Sequence, residues 1–137
     1  MINMENNEQT NIKNAASILL LSIANADNNI DKKELKLTKE IIKDFFSLSD
    51  DESYDLIEKA IIEHKQSTSY FEYAQILNQN FSYQDKIDFI FCIYEIGCID
   101  NDLHYKEKHI IKQIANILSI EHKDLIKIKI EIQKFLS

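Results

Sequence analysis

The sequence predicts an all-α protein, a single compact bundle of about seven helices built from two related three-helix halves. Three observations point there. Apolar residues recur three and four positions apart along the chain, while period-two alternation never persists, which is the pattern of helices and not of strands. There is no Pro and a single Gly, Gly97, so the tight hairpins of an all-β fold are not provided for. Finally, "ADNNIDKKE" at 26–34 returns in altered form as "IDNDLHYKE" at 99–107.

The elements follow in order. A first helix over 12–25 buries Ile18, Leu19, Leu21 and Ile23. A second, over 31–47, carries Leu37, Ile41 and Phe45 on one row and Thr38, Ile42 and Phe46 on the next. "SDDE" at 49–52 is a capping box, Ser49 accepting from the amide of Glu52 while Glu52 reaches back, and it opens a third helix to about Lys65 that buries Tyr54, Ile57 and Ile61. Ser69 with Glu72 forms a second box before a short helix burying Phe71, Ala74 and Leu77. Ser82 caps the fifth helix, which has Ile87, Ile90, Phe91 and Tyr94 on one side. The sixth, over 104–118, presents Ile110, Ile111, Ile114 and Leu118; the seventh, over 122–136, presents Leu125, Ile128, Ile132 and Phe135. The gaps are short, so consecutive helices are expected to pack antiparallel in one bundle. Residues 1–11 read as a loosely ordered N-terminus and 12–137 as the domain.

Composition narrows function by exclusion. A chain of 137 residues suits one domain, and 45% apolar with 28% charged residues is an ordinary globular balance. The formal charge of −7 disfavours nucleic acid and anionic membrane surfaces, both of which need clustered cations, and favours a basic partner or a cation. The N-terminal "MINMENNEQTN" is not a signal peptide, and the longest uncharged run, 14–26, falls short of the ~20 residues of a membrane span. A cytoplasmic protein is the expectation. Cys92 and Cys98, six apart on a helix, face different ways and read as core thiols.

Laying Asp27 on Asp100 aligns the repeat without gaps. Asn28 falls on Asn101, Asn29 on Asp102, Ile30 on Leu103, Asp31 on His104 and Glu34 on Glu107. Leu20 then meets Ile93, Ile23 meets Ile96, Thr38 meets Ile111 and Ile41 meets Ile114. After a slip of one residue "FSLS" at 46–49 matches "LSIE" at 118–121, so helices one to three correspond to five to seven, with the fourth as connector.

The two acidic turns admit two readings. As helix corners, Asp31 caps the second helix with Glu34 three residues on, and Glu34 and Glu107 each favour the positive end of a helix dipole. Asp27, Asp100 and Asp102 precede the caps and are left over. As a divalent-cation site, Asp27, Asn29 and Asp31 have the alternating spacing of a calcium loop, as do Asp100, Asp102 and His104. An EF-hand is excluded, because its Gly and Glu positions hold Lys32 and Thr38, then Tyr105 and Ile111. His104 would favour a transition metal over calcium. The candidate ligands are therefore Asp27, Asp31, Glu34, Asp100, Asp102, His104 and Glu107.

"AxADNNIDKKE", with Ala24 and Ala26 before the turn, and "IDNDLHYKEKHIIKQIANILSI" resemble the twin motifs of the TerB-like family of tellurite-resistance proteins. Its members read A-D-G-x-[IVL]-x-x-x-E followed by an amphipathic helix, and the resemblance spans about residues 12–135. It implies a compact bundle of about seven helices whose acidic residues bind a metal or a partner protein. It also implies a stress-response setting, with tellurite or phage resistance; related domains occur fused to a membrane-anchored DnaJ-type co-chaperone, which leaves a co-chaperone docking domain as an alternative. Asp27, Asp31, Glu34, Asp100 and Glu107 are the positions carried over. Asn28 and Asn101 replace the usual Gly, which Asn tolerates through its access to the left-handed region.

No enzyme is expected. The chain has no phosphate-cradling Gly loop, no nucleophile elbow and no H-E-x-x-H, and His64, His104, His109 and His122 are scattered with no nucleophile to serve. No organic cofactor is implied. The expectation is a non-catalytic module binding a partner protein, with a metal-dependent sensor and a purely structural domain as alternatives.

Overall fold

The computed structural model describes residues 4–24, 32–66, 70–98 and 105–136, except for the side chains of 4–7, 105–107 and 136. Among these residues seven helices occur and no strand: α1 (Met4–Ala24), α2 (Lys32–Phe45), α3 (Asp50–Gln66), α4 (Phe71–Asn80), α5 (Tyr83–Gly97), α6 (Tyr105–Ile117) and α7 (His122–Leu136). The all-α bundle expected from the apolar periodicity is the fold observed.

Helix α1 is the axis of the bundle. Residues 15–21 are all buried, and the helix packs against α2, α3, α4, α5 and α6. A helix apolar on every side needs neighbours on every side, and "AASILLLS" is such a stretch. Its one hydroxyl at full burial, Ser17, donates to the Lys13 carbonyl at 2.8 Å, so no orphan polar group enters the core. α1 begins at Met4, two turns before the predicted Ile12. Glu8 to Asn11 are exposed, and a solvent-facing turn gives no apolar period by which a sequence reading can find it.

The two halves repeat each other in contacts and in burial. α1 packs on α2 and α3 as α5 packs on α6 and α7, and the cross-contacts α2 with α5 and α1 with α6 complete the relation. Thr38, Ile41 and Ile42 are buried on α2, and Ile111, Ile114 and Ala115, their counterparts, on α6. The connections 25–31 and 98–104 fall at equivalent places and have equal length.

Both helices then end alike, one residue out of step. Ser47 and Ser119 adopt positive φ, 55° and 57°. The Leu48 amide donates to the Lys43 carbonyl at 2.9 Å, and the Ile120 amide to that of Ala115 at 3.0 Å, the six-to-one bond of a Schellman ending. In a chain with one glycine, serine takes the left-handed position. The slip arises because α6 has 13 residues where α2 has 14.

Several expectations on individual residues are corrected. Tyr54 is 55% exposed, because Ser53 occupies the inward position and Tyr54 turns out to lie beneath the Lys39 ammonium. Phe71 and Phe135 are 52% and 68% exposed; Phe71 is the first residue of α4, and Phe135, near the end of α7, meets the Phe91 ring edge-on at 6.4 Å. Leu37, Phe45, Phe46, Ile61, Ile87, Phe91, Ile110 and Leu125 are half-buried and pack on the core from its rim. α4 has Tyr70 at its N-cap with no side-chain cap bond, and Ser69 lies outside the described residues. Nor does α4 follow its sequence neighbours: it packs chiefly on α1 and α6, because Ala74 and Leu77 find their apolar surface there.

Candidate functional site: the acidic corners and the groove between α2 and α5

The acidic corners join α1 to α2 and α5 to α6. Asp27, Asp31, Asp100, Asp102 and His104 lie outside the described residues, and Glu107 belongs to α6 within the part whose side chains are not described. Glu34 is the predicted ligand whose side chain is placed. It stands in the first turn of α2 and is only 7% exposed, and its carbonyl accepts from Thr38 Oγ1 at 2.7 Å.

That burial distinguishes Glu34 from an ordinary capping glutamate in the same molecule. At the start of α3 the capping box forms as predicted. The Glu52 amide donates to Ser49 Oγ and the Ser49 amide to Glu52 Oε1, each at 3.1 Å, with both side chains exposed. The Ser49 amide and hydroxyl hold the Glu52 carboxyl below its usual range. Glu34 is turned inward, where an ionised carboxylate requires partners. Among the described residues, no group of three or more His, Cys, Asp or Glu gathers closely enough to hold a metal.

A second feature was not anticipated from the sequence. An open groove of about 430 Å³ runs between α2 and α5, lined by Leu37, Glu40, Ile41, Asp44 and Phe45 from one helix and Cys92 and Glu95 from the other. Its floor is apolar, and three carboxylates stand along it. Burial raises the Glu95 carboxyl. Burial, and then the carboxylates of Glu95, Asp88 and Asp44, push the Cys92 thiol up to about 12, so it stays protonated at neutral pH. Cys98 is buried, as expected, whereas Cys92 reaches this groove. The sequence held one sign of it: Glu40 and Asp44, four apart, flank the apolar row Leu37, Ile41, Phe45.

Elsewhere two titratable pairs tie neighbouring elements together. Lys43 and Asp50 pair at 2.7 Å across the α2–α3 turn, each holding the other in its charged form. Tyr83 donates to Asp124 Oδ2 at 2.5 Å and accepts from the Glu121 amide at 3.0 Å, tying α5 to the start of α7. Among the described residues no helix is long and apolar enough to cross a membrane.

Comparison with known proteins agrees with the family resemblance carried by the motifs. The family model described as tellurite resistance protein TerB matches residues 13–130, nearly the span over which the motifs and the paired halves extend. The searches of curated proteins and of solved structures returned no match.

Proposed function

The chain belongs to the tellurite resistance protein TerB family, and from that premise we propose that it is a non-catalytic cytoplasmic module which binds a partner protein through its two acidic corners. A divalent cation is the second ligand those corners suit, and a stress-response setting with tellurite or phage resistance is the context. The observation that carries the reading is the doubling. Two connections of equal length, 25–31 and 98–104, join equivalent helices of two equivalent halves, and each carries acidic residues in the sequence just before a helix. Capping alone needs neither Asp27 nor Asp100, which precede the caps, and it does not need Glu34 to be buried.

Co-purification from the native host tests the partner. Wild type is expected to recover a protein that the Asp27→Ala/Asp100→Ala variant loses; recovery of the same proteins by both would remove the corners from the binding surface. Thermal melts test the cation. An ion present at one hundred times its Kd adds ~2.7 kcal/mol of stability, so Ca²⁺, Mg²⁺, Mn²⁺ and Zn²⁺ all leaving the wild-type melt unchanged would dismiss the metal.

A further inference from the structure

The two halves differ in one respect that their equivalence makes legible. α4 packs on α1 and α6. The relation that carries α1 to α5 and α6 to α2 maps that covered face onto the face formed by α5 and α2, which is where the open groove lies. The lining residues correspond one by one. Leu37 and Ile41 match Ile110 and Ile114, Phe45 matches Leu118, and Cys92 matches Leu19. Leu118 and Leu19 are fully buried where Phe45 and Cys92 in the groove remain partly exposed, while Ile41 is buried as Ile114 is, and Leu37 and Ile110 are alike partly exposed. Among the described residues, one face has its helix and the other has an equivalent apolar seat without one.

Charge separates the two seats. Glu40, Asp44 and Glu95 in the groove stand where the covered face has Gln113, Ile117 and Ser22. Each change places a carboxylate beside the apolar floor, and the three contribute to the chain's net charge of −7. Such a surface repels an acidic segment and attracts a cationic one. Among the described residues, the cations nearest in sequence do not line it: Lys36, Lys39 and Lys43 lie on α2 outside the lining set.

We propose that the groove between α2 and α5 is a docking site for a short amphipathic helix of a partner protein, seated as α4 is on the opposite face, with apolar anchors three to four residues apart and Lys or Arg on its flanks. The anchors fill the seat of Leu37, Ile41, Phe45 and Cys92, and the cations meet Glu40, Asp44 and Glu95. This is helix-in-groove recognition, with the register set by the apolar anchors and the choice of partner by charge. The inference rests on the reading of the chain as a partner-binding module, but not on the acidic corners.

The test uses the full-length chain, ¹⁵N-labelled, and a hydrocarbon-stapled peptide copying residues 70–81 with Glu72→Lys, Gln75→Lys and Gln79→Lys. Amide shifts are expected on Leu37, Ile41, Cys92 and Glu95. Affinity should fall by about tenfold or more in Glu40→Lys/Asp44→Lys, in added salt, and for the same peptide with Glu in the three altered places. Glu40 and Asp44 are exposed, so the double variant is expected to melt as wild type does. Absence of binding, equal binding of the acidic peptide, or shifts confined to α1 and α6 would overturn the proposal. The Asp27→Ala/Asp100→Ala variant should bind the peptide as wild type does; if it does not, the site is misplaced. Peptide failure alongside co-purification that still depends on Asp27 and Asp100 would reject the groove and leave the corners standing.

Discussion

Helices α1 and α5 occupy equivalent places in the two halves, yet one is sheathed and the other is not. On α1, Leu19 is 0% exposed; on α5 its counterpart Cys92 is only partly buried. The difference lies outside both helices. α4 covers α1 and α6, and among the described residues nothing covers the matching face of α5 and α2. The sequences have adjusted accordingly, with Leu19 and Ser22 on the covered side and Cys92 and Glu95 on the open one. A duplicated half is thus conserved in its core and free to diverge where its surroundings differ.

The starts of α3 and α7 make the same point more locally. In the first half the Ser49 amide is met by Glu52, three residues on. In the second the matching Glu121 amide donates to the Tyr83 hydroxyl, which in turn donates to Asp124. One orphan amide is satisfied within its own helix and the other by a residue of α5, because an N-terminal amide needs an acceptor but not a local one.

The largest effect should come from the asymmetry of burial. Leu19→Ala is expected to cost ~2–5 kcal/mol in urea unfolding. Cys92→Ala, at the equivalent place, should cost less than ~1 kcal/mol, since the side chain is smaller and already partly exposed. Equal losses would mean that α5 is as enclosed as α1. Next come the caps. Ser49→Ala should cost ~1 kcal/mol, and Tyr83→Phe should lower the urea midpoint by less; a neutral Tyr83→Phe would show that the Glu121 amide has no need of the phenol.

Smaller and of opposite sign are the left-handed serines. Ser47→Gly and Ser119→Gly should each stabilise by up to ~1 kcal/mol, because glycine takes positive φ without the Cβ penalty. Gains that differ between the two would break the equivalence of the helix endings. The smallest effect tests Glu95. Its carboxyl titrates higher in the folded than in the unfolded chain, so the native state binds the extra proton and stability falls as pH rises through that window. Glu95→Gln should therefore melt slightly above wild type at pH 7, with the difference closing below the ordinary Glu value of about 4.3. A difference that persisted at low pH would point to packing and not to charge.

What the sequence determined was the class of fold, the duplication and the identity of most core positions. Those rest on period, on turn chemistry and on internal likeness, and each is local along the chain. Ile41 and Ile114 were legible because apolar residues at helical spacing have nowhere else to go, and the Ser49–Glu52 box because its partners are three residues apart. Of the candidate site, the sequence marked the seven polar residues of the corners, and the described structure adds that Glu34 is drawn inward.

The groove was decided only in three dimensions. Leu37, Ile41 and Phe45 read as one more core row, and the sequence cannot say which rows find a covering helix. α4 is too short to serve both faces, and its Ala74 and Leu77 bury themselves against α1 and α6, leaving α2 and α5 with an apolar floor edged by carboxylates. Periodicity tells which face of a helix seeks burial; only the placement of the other helices decides whether that face obtains it.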